Sequence, residues 1–225
     1  AQQINQSERI HPDTVWQNYL TSIGRQIVEV SDRQDIEYHF TVIESDQINA
    51  FAAPGGYIYF YTGLLKLMDS EAELASVMAH EISHVVARHG VKRLQAAMGV
   101  TLAYELIFGG EEQSEALNAA IGIGLGLASA GYSRANEREA DEYGMTYMIR
   151  AGYHPEGMVS MFEKLADAGG GGDRDVFEAM AASHPETQER IHNAQERISG
   201  MQLPGDLTYG RDTYQRMLQR LSPGS

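Results

Sequence analysis

The sequence predicts an α+β domain that is mainly α-helical, with one small sheet in its N-terminal third. Two observations carry that. Period-two alternation of apolar residues is confined to the chain before about residue 61, whereas helical spacing with recognisable caps recurs from Ser70 onward. Apolar residues are 43% of 225, enough for one sizeable core.

Taken in order, Thr14 to Val30 places Val15, Leu20, Ile23, Ile27 and Val28 at amphipathic-helix spacing. The segment "DIEYHFTVIES" alternates, with Ile36, Tyr38, Phe40 and Val42 on one side, so it reads as a strand. "QINAFAAPGGYIYFYTG" reads as two short strands around Pro54-Gly55-Gly56. Ser70 and Glu73 form an S-x-x-E capping box, with Leu74, Met78 and Val85 on one stripe of the helix that follows. Gly90 ends or interrupts this helix, because apolar spacing resumes through Leu94, Ala97 and Met98. Ala116 to Ala130 reads as a buried helix weakened by glycine. Arg134 to Ala151 is a helix with Gly152 at its end, and Pro155 starts another that runs to about Ala168. After "GGGG" (169–172), a loop, come helices Asp175 to Ala182 and Pro185 to Ser199. The expected organisation is one domain over 1–199 and a tail over 200–225 with one short helix, Arg211 to Leu221, packed on it.

A net charge of −14 repels phosphate backbones and anionic lipid, which argues against nucleic-acid partners. With no cysteine, disulfides, thiolate metal sites and cysteine nucleophiles are excluded. The most apolar run, "AAIGIGLGLASA", is about half of what a bilayer core demands. The N-terminus lacks the basic-then-apolar pattern of a signal peptide, a reading that leaves open a signal or lipoprotein anchor removed from the mature chain.

The chemistry begins at "HEISH", His80 to His84. Residues i and i+4 share a helix face, so both imidazoles can grip one zinc while Glu81 leans over its open side as a general base. Chance supplies H-E-x-x-H in roughly one chain in 40 of this composition, so the pattern needs a third ligand to carry weight. His89, nine residues from His80, lies half a turn out of phase and reads as a helix-end or supporting residue. In "ANEREADEYG", Glu137 and Asp141 share a face. One carboxylate can bind metal and the other can orient a ligand histidine, and the spacing leaves open which does which. Glu139 and Glu142 fall on other, solvated faces.

Together, "AELASVMAHEISHVVARHG", "SRANEREADEYG" and "SHPETQERI", preceded by "NAFAAPGGYIYFYTGLL", resemble the HtpX-like and prenyl-protease-like zinc metallopeptidases, peptidase family M48. The likeness covers about residues 45 to 195. It implies a gluzincin-type core with one zinc per chain on His80, His84 and Glu137, Glu81 as general base and Asp141 supporting a ligand. It also brings His184 near the zinc, either stabilising the oxyanion or filling the fourth position, with Arg190 as a further catalytic residue. Prenyl-protease and HtpX members span membranes, whereas this chain has no such segment, so the soluble BepA/LoiP-like branch fits better. The residues after Ser199 are too few for the helical repeats that BepA-like proteins add. The resemblance implies an endopeptidase acting on misfolded or unfolded polypeptides in the bacterial periplasm or cell envelope, with the cytoplasm left open. A chaperone-like protein with a self-blocked zinc site is the alternative. Asn49, Ala50 and Phe51 form a strand that could hold an extended substrate by edge pairing. The Gly109 to Gly131 stretch is a candidate lid, and Tyr132 reads as a packing residue. His11, His39, His154 and His192 belong to no motif.

Overall fold

The computed structural model describes residues 8–96, 99, 131–170, 180, 184 and 188–221. The helix expected over Ala116 to Ala130, most of the one over Asp175 to Ala182, positions 171–172 and nearly all of the candidate lid lie outside these residues, whereas 169–170, expected in the "GGGG" loop, are helical.

Helix α1 (Thr14–Glu29) starts where Asp13 accepts a hydrogen bond from the Val15 amide, and it buries Trp16, Leu20, Ile23 and Ile27. Strands β1 (His39–Ile43), β2 (Ala50–Ala53) and β3 (Tyr57–Tyr61) follow. They form one sheet in the order β1-β3-β2, with β3 parallel to β1 and antiparallel to β2. Strand β2 is thus an edge. Alternation sends Phe40, Val42, Ile58 and Phe60 into the main core, while Ile43, Ala53, Tyr59 and Tyr61 make a smaller cluster. A short helix α2 (Thr62–Leu67) leads to α3 (Glu71–Val86).

Helix α3 is the axis of the molecule. Every residue from Ala72 to Val85 is buried, because α1, the sheet and two later helices enclose it. The single apolar stripe read from the sequence understates this, since polar Ser76, His80, Glu81, Ser83 and His84 are as enclosed as Leu74 and Met78. The capping box is also rearranged. Ser70 Oγ accepts from the Glu73 amide, but Glu73 accepts from Asp69 N (2.6 Å) instead of Ser70, and its carboxylate is further satisfied by Ser160 and Lys164. The helix ends at Val86 and not at Gly90. Arg88 adopts a left-handed φ of 58°, and a new helical stretch runs over 89–96.

Helix α4 (Arg134–Arg150) is capped by Ser133 and closed by Ala151 and Gly152 (φ 90°). It lies close along α3: a Cβ on Gly144 would stand 3.1 Å from the His80 backbone nitrogen. Helix α5 (Glu156–Gly170) makes a similar approach, where a Cβ on Gly157 would stand 2.5 Å from the Ala72 carbonyl carbon. Helices α6 (Gln188–Ser199) and α7 (Arg211–Leu218) complete the set, and a 3-10 turn (Gln219–Leu221) follows. The C-terminal segment is fastened to the rest: Tyr214 Oη donates to Leu65 O (2.7 Å) and Trp16 Nε1 to Met217 O (2.9 Å).

Candidate metal centre

His80 and His84 project from one face of α3, and Glu137 and Asp141 reach across from the first two turns of α4. His184, whose amide bonds to Met180 O, comes in from a third direction. Four ligand atoms, one each from His80, His84, Glu137 and His184, lie within 4.8 Å of one another, and all four residues are buried.

The spacing within the cluster is tighter than that limit. Nε2 of His80 is 3.0 Å from His84 Nε2, 3.2 Å from His184 Nδ1 and 3.4 Å from Glu137 Oε2. His84 Nε2 to Glu137 Oε1 is 3.4 Å, and His184 Nδ1 to Glu137 Oε2 is 3.2 Å. Ligands placed tetrahedrally around a zinc at 2.0–2.1 Å stand about 3.3 Å apart, so these side chains have the spacing of such a cage. Donor chemistry agrees. Asp141 Oδ1, an acceptor, is 2.9 Å from His80 Nδ1, which makes Nε2 the atom that faces the cluster and would bind a metal once deprotonated. Nitrogens and a carboxylate without cysteine are a donor set that suits zinc and other first-row divalent metals.

The electrostatics favour a cation. Burial opposes charge on His80, but Glu137 and Asp141 outweigh it and hold its pKa up at about 10. Burial drives His84 well below the ordinary imidazole value, against the opposing pull of a hydrogen bond to Glu137. Burial alone would raise Glu137, yet His80 and the hydrogen bonds from the surrounding imidazoles hold it far below the usual carboxylate range. Asp141 is likewise held low despite burial, chiefly by Arg190.

Arg190, expected among the catalytic groups, clamps Asp141 through two bonds of 2.8 and 2.7 Å, lies 3.3 Å from Glu137 Oε2 and packs over the Phe162 ring. It fixes the two carboxylates that face the histidines. Glu81 is buried, with Oε1 3.4 Å from His184 Nε2. Glu81 Oε2 and His184 Nε2 are buried atoms with no hydrogen-bond partner among the described residues. A reacting group arriving between them would find both an acceptor and a ring nitrogen.

Two cavities flank the cluster. One is apolar, walled by Val77, Met158, Met161, Phe162, Leu165 and Met180, and opens beside Glu81 and His184. The other runs between Ala52, Ala53 and Pro54 at the end of β2 and His84, Arg88 and Tyr132. Within the expected substrate strand, Asn49 is buried just ahead of β2, Ala50 faces the core, and Phe51 stacks on Tyr59.

Two features went unread in the sequence. Tyr132 lies flat on His84, with ring centroids 3.9 Å apart. Glu139 is not simply solvated: its Oε2 is 3.1 Å from Nε2 of His89, whose Nδ1 is 2.8 Å from His84 Nδ1. The half-turn offset of His89 assumed a continuous helix. The break at Arg88 redirects the ring toward His84, where burial lowers its pKa. No periodicity reports a contact made across such a break. Among the histidines outside the motifs, His39 stacks on Tyr57 and His154 on Tyr209.

Residues 15–198 match the model of Peptidase family M48. The chain is 31% identical over 211 residues to a beta-barrel assembly-enhancing protease of Yersinia pestis, covering 89% of this chain and 43% of that protein. It is 30% identical over 193 residues to the mitochondrial metalloendopeptidase OMA1 of Schizosaccharomyces pombe (86% and 55%). With metalloprotease LoiP of Escherichia coli it shares 29% over 206 residues (88% and 77%). It thus spans less than half of the assembly-enhancing proteases it matches. Among the described residues no helix is long and apolar enough to cross a membrane.

Proposed function

The chain belongs to peptidase family M48 and carries a metallopeptidase domain, and on that premise we propose that it is a zinc endopeptidase acting on unfolded or misfolded polypeptides in the bacterial cell envelope. The observation that carries the proposal is the buried, converging set of His80, His84, Glu137 and His184 with the unpartnered Glu81 oxygen beside it.

His80, His84 and Glu137 would hold one zinc per chain. Such an ion supplies Lewis acidity and brings the pKa of water down to about 7. Glu81 takes the proton from the attacking water and delivers it to the leaving amine, a role that suits an enclosed carboxylate with a free oxygen. Asp141 fixes the ring of His80, and Arg190 fixes Asp141 and Glu137. The β2 edge offers backbone pairing to an extended peptide, which is indifferent to sequence. The methionine-lined hollow beside Glu81 presents apolar surface to an apolar substrate side chain, the kind that unfolded proteins expose. Relatives named for beta-barrel assembly support an envelope location.

One observation favours a second reading, in which the protein is a chaperone-like quality-control factor with its site self-blocked. His184 Nδ1 stands at the fourth corner, where water would otherwise enter. In the protease reading, His184 swings off that corner and presents its ring to the developing oxyanion. Casein digestion with and without chelator separates the two. Glu81→Gln is expected to keep its zinc and lose at least about a hundredfold in turnover. Normal hydrolysis by that variant, or no zinc uptake by the wild type, refutes the proposed mechanism.

A further inference from the structure

His84 is held by a different kind of support from His80. Its Nδ1 faces a nitrogen rather than a carboxylate: His89 Nδ1 at 2.8 Å. Two ring nitrogens approach that closely only if one of them carries the hydrogen and the other accepts it. The far side of His89 decides which. Its Nε2 is 3.1 Å from Glu139 Oε2, and a carboxylate only accepts. His89 Nε2 therefore carries a hydrogen, its neutral Nδ1 is the acceptor, and the hydrogen between the rings belongs to His84. That leaves the lone pair of His84 on Nε2, the atom facing Glu137 and His80.

From this chain of contacts we infer that His89 and Glu139 are a positioning pair that fixes the tautomer and ring direction of His84 for metal binding. The inference rests on the proposal that His84 is a metal ligand. Other features converge on the same ring. Tyr132 stacks flat on its face, which leaves rotation in the ring plane as the freedom that the His89 bond removes. His89 is 2% exposed, so water does not compete for that bond. The left-handed Arg88 is the backbone device that turns His89 back toward the helix it follows. A histidine that merely closed a helix end would need neither the short ring–ring contact nor the carboxylate behind it. Glu139 never touches the metal cage, so any effect it has on the metal passes through His89.

The test is zinc affinity of the full chain, measured by competition with a chromophoric chelator. His89→Leu is expected to weaken binding about 10- to 100-fold, and Glu139→Ala severalfold. His89→Gln, whose amide oxygen accepts and whose amide nitrogen donates, is expected to restore most of the affinity. In the His89→Leu background, Glu139→Ala should have no further effect. Nitrogen chemical shifts in the metal-free chain should report a hydrogen on His84 Nδ1, and Glu139→Ala should blur that preference. This signal does not need His89→Leu to fold. Unchanged affinity in Glu139→Ala and folded His89→Leu, or a Glu139 effect that persists undiminished without His89, overturns the relay. A wild type that takes up no zinc instead sinks the metal reading, and the relay with it.

Discussion

His80 and His84 leave the same helix one turn apart, yet the molecule supports them by opposite strategies. His80 leans on Asp141, whose carboxylate is 16% exposed and is gripped by a guanidinium that is 5% exposed. His84 leans on His89, and the charge that ends that line, Glu139, is 46% exposed. One support is short, buried and ionic, whereas the other is longer, passes through a neutral ring and ends in solvent. A buried ion pair is costly to break and indifferent to salt, and a half-exposed one is neither.

The largest expected effect comes from breaking the His80 side. Asp141→Ala strips the buried Arg190 of two bonds, of 2.8 and 2.7 Å, and breaking one member out of a buried pair costs about 3–5 kcal/mol. Glu139→Ala, by contrast, removes a half-exposed partner and is expected to cost at most about 1 kcal/mol. Urea unfolding of both variants in chelator checks the difference. Equal losses would mean that exposure does not rank the two supports.

A pH titration of the metal-free chain sharpens the same contrast, because the two histidines respond with opposite sign. His80 is raised from 6.5 to about 10. Its contribution is complete below pH 6.5 and is lost as pH climbs through about 10, since the folded state keeps a proton that the unfolded chain has released. His84 is lowered, so its contribution is present above 6.5 and is lost as pH falls below that, where the unfolded chain takes up a proton first. Proton NMR of the two rings, run alongside chemical unfolding, assigns each limb. Parallel titration of the two would refute the assignment, and saturating zinc should flatten both limbs.

The sequence made only part of this contrast legible. H-E-x-x-H and E-x-x-x-D are periodic signals, and each reports which side chains share a face of its own helix. Residues on one face of α3 and one face of α4 were therefore readable before any tertiary contact was known. The relay was not, because Glu139 belongs to a different face of α4, and the helix break falls at Arg88, ahead of the Gly90 that marks it in the sequence, so that His89 lies beyond it. The enclosure of α3 on all sides was hidden too, because Ser76, Ser83, His80 and Glu81 are polar by type and buried only by their neighbours. A short C-terminal helix was expected over Arg211 to Leu221, but its bond from Tyr214 to Leu65 spans 149 residues and no local pattern reports it.

Gly144 probes how closely α4 must approach for the His80 side to work. A methyl there meets the His80 backbone at 3.1 Å, so one of the helices has to shift by a few tenths of an ångström. Overpacking of this kind costs about 1–3 kcal/mol, and alanine returns up to about 1 through helix propensity. Gly144→Ala should therefore destabilise modestly and weaken zinc severalfold by moving Glu137 and Asp141 back. An unchanged melting temperature would show that the helix contact is slack.

The smallest effect is expected at Arg88, on the His84 side. A left-handed backbone costs a residue with a Cβ about 1–2 kcal/mol, and glycine relieves it while adding some entropy to the unfolded chain. Arg88→Gly should then gain about 0.5–1 kcal/mol, which for a chain of this size raises the melting temperature by about 1–4 °C. Arg88→Val should lose stability, because a β-branched side chain suits that conformation worst. If the strain serves to aim His89, both variants keep the turn and differ only in its cost, so zinc affinity should follow stability in Arg88→Val and stay level in Arg88→Gly. Loss of zinc in a more stable Arg88→Gly would mean that the arginine side chain, not the turn it makes, holds the His84 support in place.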